Sequence, residues 1–220
     1  MFDSPSKKEE CGIFAIYGAE DPARLIYLGL YALQHRGQES AGMVLSDGTN
    51  VTSHKGMGLI ADVFKEGTLQ DLKGHMGIGH VRYSTTGSSM LRNAQPFLVE
   101  QIDRIFALGH NGNIVNVAKI RRKLESRGAI FQTSTDSELI AHLVLHKKGS
   151  LEERLVKTFE ELKGAWSVVM LTPQGILATR DPYGFRPLCI GRKGDAIIFA
   201  SETCALDIIE AEYIRDVEPG

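Results

Sequence analysis

The chain has 220 residues, 43% hydrophobic and 24% charged, with a net charge of −2, the balance of a soluble globular protein built as one large domain or two small ones. No basic run offers a nucleic-acid footprint, and no apolar run nears the roughly 18 residues that cross a membrane. Cys11, Cys189 and Cys204 are odd in number and far apart, which suits a reducing cytoplasm better than a disulfide scaffold and is too few for a four-cysteine zinc or iron–sulfur site.

Met1 to Glu10 is a polar leader that reads as disordered and lacks the apolar middle of a secretory signal. Cys11 to Gly18 is a short apolar run ending in glycine, and predicts a strand buried on both faces. Asp21-Pro22 supplies a helix cap and a proline at the first helical position, Leu25, Ile26, Leu28, Ala32 and Leu33 an apolar face, and Gly37 a closing residue. That helix would deliver Gln34 to Ser40 to its C-terminal end. Asp47-Gly48 between Ala41–Ser46 and Val51–His54 signals a hairpin. A short helix is expected over Leu59–Glu66, a strand over Gly77–Val81, and polar turns over Arg82–Gly87 and Arg92–Pro96. Phe97–Glu100 and Ile105–Gly109 read as a second strand pair, ending in His110-Asn111-Gly112-Asn113. Helical patterns follow at Val115–Arg127, Ser137–His146 and Leu151–Leu162. Strands come next at Gly164–Leu171, Ile176–Arg180, Leu188–Gly191 and Ala196–Ala200, then a short helix near Ala205–Glu210 and a last strand around Tyr213–Val217. Strands clustered at both ends with helices between them predict an α+β protein with two mainly antiparallel sheets packed together under outer helices.

Several polar residues beside strand ends could carry chemistry. Cys11 is either a small apolar residue at the head of a buried strand or, once the leader is removed, a thiol and a free α-amine on one carbon, a nucleophile with its own base. His110-Asn111-Gly112-Asn113 is either a tight turn or an oxyanion hole made of the Asn111 side-chain amide and the Gly112 backbone N–H. Arg82 is either an exposed cation or a fork for a carboxylate. Asp136 is a helix N-cap, a partner for an ammonium group, or both. An Arg and an Asp converging beside a nucleophile could read both charges of a free amino acid. His142 and His146, four apart on a helix without further ligands, read as core or surface histidines, and Arg180 to Pro187 as a turn-rich connection.

In order along the chain, Cys11-Gly12-Ile13-Phe14, Gln34 to Gly42, Gly79 to Thr85, Asn93-Ala94-Gln95-Pro96, His110 to Asn113 and Thr135 to Glu138 resemble the class II glutamine amidotransferase domain, a family of N-terminal-nucleophile hydrolases. The forms Gln34-His35-Arg36-Gly37-Gln38, Tyr83 to Gly87 and Arg180 to Gly184 resemble its purine-biosynthetic branch, whose acceptor is a phosphoribosyl group. The resemblance covers Cys11 to Gly220 and implies a four-layer αββα sandwich. It implies roles too: Cys11 the nucleophile, Asn111 and Gly112 the oxyanion hole, Arg82 on the glutamine α-carboxylate, Asp136 on its α-amino group, Arg36 and Gly37 shaping the site, and Thr85 among the substrate-binding residues. It further implies that residues 1–10 are a propeptide cut at Glu10-Cys11, and that residues 11–220 are the glutaminase half of a longer cytoplasmic homo-oligomer. The chain stops abruptly at Glu218-Pro219-Gly220, as at a domain boundary. The phosphoribosyltransferase domain, with its magnesium and iron–sulfur cluster, would follow, leaving no cofactor in this chain; Cys189 and Cys204 then read as core residues. Glutamine is the expected ligand, with neither nucleic acid nor membrane. A sugar-phosphate amidotransferase and a non-catalytic glutamine-binding module are the alternatives; the set Cys11, Arg82, Asn111, Gly112 and Asp136 speaks against the module.

Overall fold

A computed structural model describes residues 11–83, 90–101 and 104–220. The leader expected over residues 1–10, most of the polar turn after Arg82, and Thr85 lie outside the described residues. The strands are β1 (Gly12–Tyr17), β2 (Ser40–Ser46), β3 (Val51–Met57), β4 (Met76–Arg82), β5 (Phe97–Gln101), β6 (Arg104–Ile114), β7 (Gly164–Thr172), β8 (Gly175–Arg180), β9 (Cys189–Lys193), β10 (Ala196–Ala200) and β11 (Glu212–Asp216). The helices are α1 (Pro22–Ala32), α2 (Ile60–Val63), α3 (Glu66–Asp71), α4 (Val117–Glu125), α5 (Asp136–His146), α6 (Leu151–Phe159) and α7 (Cys204–Asp207).

The strands form two antiparallel sheets. One has seven strands in the order β11-β9-β10-β1-β4-β2-β3, the other four in the order β5-β6-β7-β8. Successive side chains of a strand point to opposite faces, and β1 displays both. Its Phe14 and Ile16 join Ile26, Leu30 and Leu33 of the α1 region in one core. Its Ile13 and Ala15 join Ile78, Ala107 and Val169 in another, between the sheets. A third core lies outside the second sheet, where Leu108, Trp166 and Val168 meet Ile120, Leu139, Ile140 and Leu155 of α4, α5 and α6. Three cores separate four layers, so the expected αββα sandwich is the fold observed. The run from Gly12 to Ile16 is buried throughout because a sheet covered on both faces has no solvent side to spend polar residues on.

Local signals operate as expected in most places. Asp21 accepts a hydrogen bond from the Arg24 N–H at 3.2 Å with Pro22 at the first helical position, and Ser150 and Glu153 form a reciprocal capping box on α6. Three expectations are corrected. α1 ends at Ala32, not at Gly37; a single 3-10 turn, Gln34–Arg36, follows, and Gly37 is extended at φ −157°. The Gln34 side chain holds that turn, donating to the Gly37 carbonyl and accepting from the Ile60 N–H. The single helix of Leu59–Glu66 is two short helices, α2 and α3. His110 to Asn113 is no turn: β6 continues through it, with Asn111 opposite Ser167 and Gly112 opposite Trp166 on β7.

His80 of β4 ties the two sheets together, its Nε2 donating to the His110 carbonyl of β6 at 2.9 Å. Complete burial pushes its imidazole from an ordinary 6.5 down to about 3, so it is neutral in the fold. Between those values the unfolded chain takes up the proton and the fold does not, so this contribution to stability is lost as pH falls. The urea midpoint is expected to drop on acidification from pH 6.5, with up to about 1.4 kcal/mol per pH unit from this one group. His80→Gln, which retains an N–H for the carbonyl, is expected to flatten that slope.

Candidate active site

Cys11 precedes β1 by one residue. By alternation its side chain lies on the same inter-sheet face as Ile13 and Ala15. Gly12 is opposite Val81, so Arg82 ends β4 beside Cys11, on the face that β4 gives to Ile78 and His80. From the other sheet, β6 and the start of α5 close the space. The resulting small polar cleft, about 30 Å³, is lined by Cys11, Arg82, Tyr83, Gln95, His110, Gly112, Thr135, Asp136 and Ser137. A larger cavity of about 370 Å³ lies elsewhere, between α6 and β8 around Leu155, Phe159 and Trp166. It is mostly apolar and is lined by neither cysteine nor histidine, whereas Cys11, Arg82, Gly112 and Asp136 gather at the smaller cleft.

The Cys11 Sγ is 3.7 Å from the Tyr83 carbonyl. Burial pushes the thiol above its ordinary 9.0, against the opposing pull of the Arg82 and Arg36 charges. A thiol so placed is protonated at neutral pH and needs a base to become a nucleophile. The Cys11 carbonyl accepts a hydrogen bond from Arg36 Nε at 3.0 Å, and Arg36 Nη1 is paired with Glu202. Arg36 is thus a buried main-chain clamp on the cysteine. Gly37 lies where a Cβ would come within 2.6 Å of the Val81 backbone, so the loop from Gln34 to Ser40 passes directly over the end of β4.

Arg82 is not an exposed surface cation. It is 4% exposed and ion-paired with Glu39. Asp136 is not the N-cap: Thr135 holds that position and caps nothing with its side chain. Asp136 is the first residue of α5, and its Oδ2 accepts from the Ile114 N–H at 3.0 Å. The Asn111 side chain is fully buried, and neither Oδ1 nor Nδ2 has a partner among the described residues. Gly112 has φ +140°, and a Cβ there would lie 2.1 Å from the Ala165 carbonyl oxygen, so no other residue fits. The N–H groups of a strand alternate between its two edges. Those of His110 and Ile114 are taken by the Gln95 and Asp136 side chains. The Gly112 N–H leaves the same edge between them, toward the cleft.

The structure thus brings Cys11, Arg82, Gly112 and Asp136 to one cleft, sets Asn111 on the inter-sheet side of β6, and puts Arg36 and Gly37 behind the cysteine. It also adds residues that the sequence did not single out. Glu39 holds Arg82, and Gln95 and His110 line the cleft; all three stand inside the motifs quoted above. Glu138 accepts from the Gln132 N–H and from the Thr133 N–H and hydroxyl, each at 2.7 Å, fixing the loop that leads into Asp136. Glu202 stands in no quoted motif. Among the described residues no three His, Cys, Asp or Glu side chains gather as metal ligands; His142 packs against Phe131 on one side and His146 on the other.

A four-layer sandwich with a cysteine at the head of a central, doubly buried strand defines the N-terminal-nucleophile class of hydrolase fold. The family model of the glutamine amidotransferase domain matches residues 80–207, and the chain belongs to that family. It is 49% identical over 215 residues to the amidophosphoribosyltransferase of Methanocaldococcus jannaschii, covering 96% of this chain and 46% of that protein. It is 47% identical over 214 residues to the Bacillus subtilis amidophosphoribosyltransferase, covering 96% and 45%. Among solved structures, the B. subtilis glutamine phosphoribosylpyrophosphate amidotransferase, complexed with ADP and GMP, superposes with a TM-score of 0.91 at 46% identity, over 96% of this chain and 46% of that one. The chain therefore spans about half the length of the relatives it matches.

The raised thiol gives a direct test. With residue 10 still joined to Cys11, so that the Cys11 nitrogen is an amide, the rate of Cys11 alkylation by iodoacetamide is expected to keep climbing with pH past the point, about one unit above the ordinary 9.0, at which an exposed thiol levels off.

Proposed function

We propose that this domain hydrolyses glutamine to glutamate and ammonia through Cys11, and that in the whole protein the ammonia passes to a phosphoribosyl acceptor to give 5-phosphoribosylamine for purine synthesis. The observation that carries the reading is the convergence of Cys11, Arg82, Gly112 and Asp136, from four distant segments, on one cleft. A guanidinium and a carboxylate at its two sides suit the α-carboxylate and α-amino groups of an amino acid. Recognising both charges leaves the side-chain amide to face the thiol.

On this reading the Cys11 Sγ attacks the amide carbon of glutamine, and the oxygen takes up negative charge. The Asn111 side-chain amide and the Gly112 N–H stabilise it. The α-amine of Cys11, free once residues 1–10 are cut away, takes the thiol proton and gives it to the leaving nitrogen. Ammonia departs, and water cleaves the thioester to glutamate and the free thiol. Arg36 and Gly37 keep the cysteine in place, and Thr85 joins the substrate-binding set. The acceptor half lies in a phosphoribosyltransferase domain beyond residue 220, which would hold the magnesium and iron–sulfur cluster. The whole protein works as a cytoplasmic homo-oligomer; no helix of the described chain is long and apolar enough to cross a membrane.

The test is glutamate release. Asn111→Ala is expected to retain glutamine binding and to lose about 100- to 1,000-fold in turnover, read as a fall in kcat at little-changed KM; normal hydrolysis would remove Asn111 from this role. Active protein is expected to begin at Cys11 on N-terminal sequencing, and protein retaining the leader is expected to release no glutamate, because an amide nitrogen is not a base.

A further inference from the structure

We propose that Glu202 is a positioning residue for the nucleophile, acting through Arg36 on the main chain of Cys11. The inference rests on the reading of Cys11 given above. Glu202 follows β10, the strand that flanks β1 on the side away from β4. The junction is fixed by Ser201, whose Oγ accepts from the Ile13 N–H and whose own N–H donates to the Ile13 carbonyl, both at 3.0 Å. Residue 202 is thereby held level with the start of β1.

From there the Glu202 carboxylate reaches two cations or potential cations of one loop. Oε1 takes Arg36 Nη1, and Oε2 takes His35 Nε2 at 3.0 Å. Arg36 then donates Nε to the Cys11 carbonyl at 3.0 Å. The Arg36 side chain is buried while Glu202 is partly open to solvent. A buried guanidinium needs a charge partner, and Glu202 carries a full charge where the Cys11 carbonyl offers only a dipole. Burial pushes the Glu202 carboxyl up, but the Arg36 hydrogen bond and the charges of Arg36 and His35 outweigh it and hold it below its ordinary range.

The carbonyl carbon of Cys11 is bonded to the Cα that bears both the thiol-carrying Cβ and the α-nitrogen. Fixing that carbonyl fixes the direction of nucleophile and base together. Glu202 is not among the described residues that line the cleft, so its part is to hold Arg36 rather than to bind glutamine. Its loss should misplace the reacting atoms without weakening substrate affinity, and a displacement of about 1 Å at a reacting atom costs on the order of 100-fold in rate.

The test compares Glu202→Ala and Glu202→Gln in the full-length processed protein. Reactive Cys11 is first counted by titration with an electrophilic glutamine analogue, and glutamate release is expressed per titrated thiol. Glu202→Ala is expected to lower kcat by up to about 100-fold with KM within about twofold of the parent. Glu202→Gln, which keeps an oxygen for Arg36 but not the charge, is expected to lose less. A side chain that merely supports folding would reduce the number of titratable thiols and leave the rate per thiol unchanged. Parental kcat per thiol in both variants, or in Glu202→Gln alone if Glu202→Ala does not fold, overturns the inference, as does a rise in KM at unchanged kcat. Cys11→Ala keeps the two readings apart. Persisting hydrolysis there removes the nucleophile itself, whereas its loss, with parental rates per thiol in the Glu202 variants, removes only the role of Glu202.

Discussion

Burial of β1 on both faces is the constraint on which the rest of the molecule depends. A strand covered on one side by α1 and on the other by a second sheet cannot slip by one residue, since the slip would exchange Phe14 and Ile16 with Ile13 and Ala15 between cores of different shape. With register fixed, the residue before the strand is fixed too. Cys11 is held at the boundary between a packed interior and a polar cleft, on the inter-sheet face, by the pairing of β1 with β4 and β10 rather than by a mobile loop.

The same register accounts for the composition of the cleft. β4 gives its inter-sheet face to Met76 and Ile78 deep in the sandwich and to His80 and Arg82 toward the cysteine end. β6 gives its corresponding face to Ala107, Gly109 and Asn111. Apolar residues fill the middle of the sandwich and polar ones its end, so one packing arrangement supplies both a core and a site. Burying guanidinium groups there is costly unless each is paired. Arg82 has Glu39 and Arg36 has Glu202. Removing one partner of a fully buried pair typically costs about 3–5 kcal/mol; Glu39 is nearer that limit than the more exposed Glu202.

Much of the architecture was legible along the chain because its signals are local. The cap at Asp21-Pro22, the hairpin at Asp47-Gly48 and the apolar stripes of α4 and α6 act over a few residues, and each produced the expected element. The errors arose where a distant partner overrides a local preference. Gly37 looked like a helix terminator, but the Gln34 side chain bonds to Ile60, far along the chain, and ends the helix sooner. His110-Asn111-Gly112-Asn113 has turn residues, yet β7 supplies a full ladder for it, and Gly112 is there for the close passage of Ala165. Asp136 has the chemistry of a cap, but the Ile114 N–H of β6 claims its carboxylate.

For the site, the sequence by itself determined which side chains could do amide chemistry: a cysteine, an arginine, an Asn-Gly pair and an aspartate, in an order that resembles one family. Those properties are intrinsic to the residues and to their spacing. Only the tertiary structure decided which of them share a cleft, that the arginines are buried and paired, and that Glu202 stands behind the cysteine through Arg36. Contacts between residues as far apart as Arg36 and Glu202 depend on strand order and register across a sheet. That order is set by the burial of whole faces, which no local stretch of sequence contains.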